Sequence, residues 1–180
     1  MAALYASGNK RYRALLNRSF SRMPQKSSFV SRGGIWVLAQ VPLMLMVLII
    51  PMRFGAGQII PLRPLAWLGT LITISGALLI IWGFVSLGDA LTPFPRPIAN
   101  ATLHRNGAYL YMRHPIYSGV VLASLGWALW WLSVGGFFCA LLLAFFFDRK
   151  SVHEEGWLRQ QYSDYADYAR EVKKFIPGLY

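Results

Sequence analysis

The sequence predicts an all-α integral membrane protein: about four hydrophobic helices, including a C-terminal helical hairpin, and then an amphipathic cytoplasmic helix. Three observations carry this. Hydrophobic residues make up 56% of the 180 residues and charged residues 14%, where an ordinary soluble domain carries about 25% charged residues. Mean hydropathy is +0.41. The apolar residues are gathered into long runs rather than dispersed, and two of those runs reach the length of about 20 residues that crosses a bilayer. A chain of this length favours a single domain.

Three regions follow from the pattern. Residues 1–33 form a basic arm expected on the cytoplasmic side, within which "KRYRALLNR" suits a short interfacial helix. Residues 34–87 hold the first two spans. The first, about 34–52, continues through Pro42, which a membrane helix tolerates when neighbours satisfy the freed carbonyl. The second is about 65–87. Gly76 and Gly83 in it permit close helix contact. Residues 88–180 form the half that carries the chemistry. They open with an irregular loop, 88–115, containing Pro93, Pro95, Pro97 and Pro115 with His104, Arg105, Arg113 and His114. Then comes an apolar stretch, 116–147, with a break expected at "SVGG" (133–136). Two helices of roughly 15 residues would be short for full spans, hence a hairpin. In the polar tail, Leu158, Tyr162, Tyr165, Ala169 and Val172 fall at helical spacing and predict one amphipathic helix ending at "IPGLY".

The formal net charge of +11 raises a nucleic-acid reading, but no nucleic-acid motif accompanies it. Seven of the eighteen Lys and Arg residues lie within the first 32 positions, where there is no acid. Beside a span, such a segment acts as an orientation signal that meets anionic headgroups. With four crossings, the arm, the 88–115 loop and the tail share one side. That side holds 16 of the 18 cations, against Arg53 and Arg63 opposite. The asymmetry predicts a multi-pass protein with both termini cytoplasmic. Cys139 is the single cysteine, so no intrachain disulfide can form, and no metal site is expected. Trp127, Trp130 and Trp131 suit a membrane-interface belt.

Two polar clusters flank the hairpin, "RHPIY" and "DRKSVHEEGWL". Since a hairpin returns the chain to its starting level, Arg113, His114 and Tyr117 are expected to face Arg149, Glu154 and Glu155. Pro115 suits a first helical position, and the helix start, reinforced by Arg113, suits a carboxylate or phosphate. The glutamates suit cations and hydroxyls. A zwitterion bearing a sugar fits both ends; S-adenosylmethionine is one such molecule, not the only one. Tyr109, Tyr111 and Trp157 offer rings for an adenine or a sulfonium.

The segment "NGAYLYMRHPIYSGVVL" followed by "EEGWLRQQYSDYADYAREVKKFIP" resembles the isoprenylcysteine carboxyl methyltransferase family, in a wider membrane group with the phospholipid N-methyltransferases. The shared pattern is G-x-Y-x-x-x-R-H-P-x-Y-x-G, E-E-x-x-L, Y-x-x-Y-x-x-x-V and F-I-P, preceded by the proline-rich "LTPFPRP". It covers about residues 91–177. The resemblance implies an S-adenosylmethionine-dependent methyltransferase, giving S-adenosylhomocysteine as product. Its cofactor would be closed under the C-terminal segment and its lipophilic acceptor would arrive from the bilayer. It implies Gly107, Tyr109, Arg113, His114, Tyr117, Glu154 and Glu155 as cofactor-binding residues, with Arg113 and Arg149 in the catalytic role and Arg149 holding the acceptor. "RQQYSDY" departs from the Phe-Gly that many members carry there. The carboxylate of an isoprenylcysteine-like lipid is the first acceptor choice and a phospholipid amine the second.

Two other readings compete. A sterol-reductase-like NADPH enzyme shares an Arg-His-Pro pattern, but Ile116 and Val120 stand where Asn and Glu are expected. A non-catalytic membrane scaffold would depend on the N-terminal cations. The acceptor's identity and the oligomeric state are open at this level.

Overall fold

A computed structural model of the chain describes Phe29 and residues 33–56, 63–88 and 102–180, with only the backbone at Arg63. The interfacial helix expected in the basic arm and the proline-rich 91–97 segment lie outside these residues. The described part contains α1 (Gly34–Phe54), α2 (Arg63–Leu87), a 3-10 turn (Gly107–Leu110), α3 (Pro115–Trp130), α4 (Val134–Gln161) and α5 (Tyr165–Glu171). Among the described residues there is no β-strand, only an isolated parallel bridge between Met112 and Lys173. The all-α expectation holds.

Helix α1 runs unbroken through Pro42 and Pro51. It and the 24-residue stretch Pro64–Leu87 are long and apolar enough to cross a membrane. Their outward faces expose Leu38, Val41, Leu45, Leu71, Leu78 and Val85. Apolar surface on this scale calls for lipid contact. Helix α3 is central, packing along α2 on one flank and α4 on the other, while α1 lies against α4. The core between α1, α3 and α4 is built from Val47, Cys139, Leu143 and Phe147, with Leu43, Ile50, Tyr117 and Val120 against it.

The α2–α3 seam is made of glycine. Gly69, Gly76 and Gly83 recur every seven residues; Gly69 and Gly76 oppose Gly126 and Gly119, also seven apart, and Gly83 meets Ile116 at the start of α3. A Cβ at Gly126 would sit 2.6 Å from the Gly69 carbonyl oxygen, and one at Gly119 would sit 2.7 Å from that of Gly76. The backbones therefore meet directly, as small residues allow between membrane helices. Thr73 Oγ1 donates to Gly69 O at 2.8 Å and lies 3.5 Å from Ala123 O across the seam. Only Gly76 and Gly83 of this set stood out in the sequence.

Three expectations need correction. The hairpin does not break at 133–136. It turns at 131–133, and Ser133 Oγ caps α4 by accepting from Gly136 N at 3.0 Å. Gly135 and Gly136 are inside α4. Gly136 is small because Pro51 Cγ and Ala128 would meet a Cβ at 2.7 and 3.0 Å. The second hairpin helix is not short either. At 28 residues and 1.5 Å per residue it extends about 42 Å, so its apolar part, ending at Phe147, continues as one rod into the polar "DRKSVHEEGWLRQQ".

The tail is not one amphipathic helix. The chain leaves helix at Tyr162 and re-enters at Tyr165, and Val172 is extended. Ser163 and Asp164 favour a turn over continued helix. Arg105 Nη2 then holds the turn through the Asp164 carbonyl (2.7 Å) and carboxylate (2.6 Å). Folding back at this point buries Tyr165 and Tyr168 and returns the chain to the start of α3.

Candidate active site

The polar clusters meet at one end of the bundle, where α2 ends, α3 begins and α4 leaves its apolar stretch. The approach to α3 is shaped by Gly107, whose φ of +56° suits glycine. Ala108 N donates to Ser86 Oγ at 3.0 Å, tying the 3-10 turn to the end of α2. Tyr168 Oη donates to Tyr109 O at 2.7 Å, tying it to α5. Arg113 N and His114 N then donate to Lys173 O and Lys174 O at 2.9 and 3.1 Å, so a C-terminal strap lies along the residues entering α3. Pro115 occupies the first turn of that helix.

Five of the expected residues form one network. Arg113 Nε donates to Glu155 Oε1 at 3.0 Å, and its Nη1 donates to Ala169 O (2.7 Å) and Val172 O (3.0 Å). His114 Nε2 lies 3.1 Å from the same Glu155 oxygen. Tyr117 Oη donates to Glu154 Oε2 at 2.9 Å. The rings of His114, Tyr117 and Phe147 stack in series, with centroids 5.4 and 4.4 Å apart and planes within 4° of parallel. Phe175 of the strap closes over His114, ring to ring at 5.7 Å.

The two glutamates have different surroundings. The Glu155 side chain is 7% exposed and meets Arg113, His114 and, at 3.8 Å, Arg159. Burial pushes its carboxyl up, but the His114 hydrogen bond and charge, then Arg113 and Lys174, outweigh burial and hold it below the ordinary glutamate range. Glu154 is 25% exposed, with Tyr117 on one oxygen. Burial, and then the charge of Glu154, push the Tyr109 phenol well above its usual value, so it stays protonated. Glu154 is therefore the more open carboxylate, flanked by two phenols.

Arg149 lies apart from this cluster. Its guanidinium is 57% exposed, donates to Asp148, and lies 5.4 Å over the Phe145 ring. Its neighbour Lys150 points inward instead: it is 3% exposed, donates to Gln40 Oε1 of α1 at 2.6 Å, and places Nζ 5.1 Å from the Tyr117 centroid. Tyr111 is exposed, with its ring on Trp82. Trp157 is half-buried. Gly107 takes part through backbone shape rather than by contact with the carboxylates.

Sequence reasoning missed Lys150, Gln40, Ser86 and Asp148. Asp148 accepts from Lys174 Nζ (2.7 Å), Tyr180 Oη (3.0 Å) and Arg149, so it fastens the strap to α4. The signal for Lys150 was present. The buried stripe Cys139, Ala140, Leu143 and Phe147 continues at helical spacing to Lys150, Ser151 and Glu155, leaving Arg149 off it. Treating the apolar stretch 116–147 and the polar tail as separate segments hid that continuity.

The donor set fits a ligand with hydroxyl or cationic groups, which Glu154 accepts, beside tyrosine faces. The buried hydroxyl of Tyr165 has no hydrogen-bond partner among the described residues, leaving one more polar group facing the cluster from α5. At the opposite end of the bundle the tryptophans pack between helices. Trp127 Nε1 donates to Leu48 O at 3.1 Å and Trp130 meets Trp67 edge-on at 6.1 Å.

The phospholipid methyltransferase family pattern matches residues 65–165. No curated protein and no solved structure matches the chain. The matched region takes in α2, the 3-10 turn, α3 and α4, hence Arg113, His114, Tyr117, Glu154 and Glu155, and it exceeds half of the 180 residues. The chain therefore belongs to the phospholipid methyltransferase family, membrane methyltransferases grouped with the isoprenylcysteine carboxyl methyltransferases.

Proposed function

We propose that the protein is a multi-pass membrane enzyme, with both termini cytoplasmic, that methylates a lipophilic acceptor using S-adenosylmethionine. The observation that carries this reading is the partition of the glutamate pair. Glu155 is consumed by Arg113 and His114, which fixes the start of α3 against α4, while Glu154 keeps accepting capacity beside Tyr117 and Tyr109.

In this reading Glu154 accepts from the hydroxyls or ammonium of the cofactor, and Tyr109 and Tyr117 line its flank. When bound, S-adenosylmethionine supplies a methyl group made electrophilic by its sulfonium. The protein's part is position and dryness. Arg113, His114 and Glu155 hold the local frame, and Phe175 with the strap excludes water. Orientation of two reactants of this kind supplies about 7–11 kcal/mol in well-ordered systems. A carboxylate acceptor, as on an isoprenylcysteine-like lipid, arrives ionised and needs no base. A phospholipid amine must shed a proton, and the description of the matched family favours keeping this second acceptor.

Thermal unfolding of the detergent-purified protein with S-adenosylhomocysteine, with NADPH and with neither tests the reading. A ligand at 100 times its Kd stabilises by about 2.7 kcal/mol. The expected result is a shift with S-adenosylhomocysteine that Glu154→Gln diminishes. A shift with NADPH alone would favour the reductase, and none with either would favour the scaffold. Transfer of labelled methyl to defined carboxylate and amine lipids then separates the two acceptors.

A further inference from the structure

The strap runs deeper into the bundle than the entry to α3. Ser118 Oγ, one turn inside α3, donates to Phe175 O at 2.8 Å. Tyr180 Oη donates to Asp148, where α4 passes from apolar to polar. The apolar surface of the bundle extends past this level. A Cβ at Gly83 of α2 would meet Ile116 and Pro115, so Gly83 stands abreast of the start of α3. Val85, further toward the site, is 74% exposed. On α4, Leu141 and Phe145 are exposed just before Asp148, with Arg149 over the Phe145 ring. Residues 176–180 therefore lie beside surface that calls for lipid, at the depth where it gives way to charge.

The turn itself suits that depth. Ile176, Leu179 and Tyr180 are exposed, Leu179 at 76%. Its backbone is bonded internally: Phe175 N and Ile176 N donate to Tyr180 O at 2.7 Å, and Leu179 N and Tyr180 N donate to Ile176 O at 3.1 Å. Pro177 has no N–H to satisfy, and Gly178 supplies the φ of +72° that closes the turn. Bonded backbone with outward apolar side chains is what the edge of the hydrocarbon asks of a chain. Exposed cations adjoin it: Lys173 on the strap, and Arg149, which shares Asp148 with Tyr180. Long cationic side chains beside an apolar tip suit headgroup phosphates above acyl chains.

We propose that the 176–180 turn is a membrane anchor. Ile176, Leu179 and Tyr180 enter the boundary between headgroups and acyl chains in the leaflet nearest the site, with Arg149 and Lys173 on headgroup phosphates. The bilayer then helps to hold the strap over His114, because lifting Phe175 off that ring withdraws Ile176 and Leu179 from lipid. Strap closure is thereby coupled to the membrane as well as to the Asp148 fastening. The proposal uses the bilayer placement of α1 and α2 and none of the methyl-transfer chemistry.

The test is spin-label accessibility of the full chain in nanodiscs of phosphatidylcholine and phosphatidylglycerol. Nitroxides are placed singly through Leu179→Cys, Leu78→Cys and Arg170→Cys, each with Cys139→Ala so that no other thiol reacts. Leu78 is exposed in α2 and Arg170 is exposed on α5. The label at 179 is expected to be relaxed more by oxygen than by a water-soluble nickel chelate, as the label at 78 is and the label at 170 is not. A nickel-accessible label at 179 would put the turn in water, and one shielded from both reagents would put it under another part of the chain. Either result overturns the proposal. A water-accessible label at 78 would remove the bilayer placement, and the anchor with it. Should Leu179→Cys not fold, trypsin cleavage after Lys173 and Lys174 in the same nanodiscs decides, comparing wild type with Ile176→Ser/Leu179→Ser. The variant should be cut at least about tenfold faster, through the apolar burial it loses. Equal rates would overturn the anchor.

Discussion

Arg113 Nε donates to Glu155 Oε1 across 3.0 Å, with the two side chains 13% and 7% exposed. The pair joins the residues entering α3 to the polar half of α4, and Arg113 also gathers the Ala169 and Val172 carbonyls at the end of α5. Its first duty is architectural. Arg113→Ala takes one of its two close partners from a buried carboxylate, leaving His114 and the more distant Arg159, and should cost about 3–5 kcal/mol. Glu155→Gln keeps a hydrogen-bond acceptor and should cost about 1–3 kcal/mol. Denaturation in detergent checks both; equal, negligible losses would contradict the network.

Asp148 fastens the strap, and its acid response has a definite sign. The Lys174 hydrogen bond, then those from Arg149 and Tyr180, pull its carboxyl down to about 2 against the upward push of burial. Its folded pKa thus lies below the unfolded value of about 3.9. The stabilisation is complete above that value and is lost as pH falls through the folded value. Proteolysis of the strap should be flat from pH 7 to about 5 and rise between about 4 and 2. Asp148→Asn should expose the strap already at pH 7 and flatten that acid limb.

Tyr117→Phe isolates one hydrogen bond. The stack with His114 and Phe147 survives, so stability should change by no more than about 1 kcal/mol. Glu154 loses its donor, and S-adenosylhomocysteine should bind about three- to tenfold more weakly. Isothermal titration beside an unfolding curve separates the two effects.

Two glycines in helices should respond oppositely to alanine. A Cβ at Gly119 would lie 2.7 Å from Gly76 O and 2.9 Å from Ile80 N, both unyielding backbone. Gly119→Ala should cost about 1–3 kcal/mol. At Gly156 nothing lies within 4 Å, so Gly156→Ala should stabilise by about 0.4–1 kcal/mol through reduced unfolded-state freedom. Unfolding midpoints of the two variants check the contrast.

The sequence reading located the helices well where solvent preference alone decides. The first two spans are set by long apolar runs, and α1 tolerates Pro42 as membrane helices do. It erred where a local signal had two uses. Gly135 and Gly136 read as a break but serve close packing, Gly135 on Ile50 and Gly136 on Pro51 and Ala128, while the turn itself is made by the less conspicuous 131–133, with Ser133 capping α4. In the tail, helical spacing over 158–172 was real, yet the Arg105–Asp164 contact and the burial of Tyr165 favour two helices over one.

By itself the sequence determined an all-α chain suited to a bilayer, the family, and the set of residues from which a site is drawn, because composition, run length and motif spacing are properties of the linear chain. Only the tertiary structure decided how those residues divide the work. Whether Glu154 or Glu155 stays open, and whether Arg149 or Lys150 turns inward, depends on the phase of α4 and on what α1 and the strap place beside it. Neighbouring residues on a helix point about 100° apart, so one uninterrupted rod sends Lys150 to Gln40 and Arg149 to solvent.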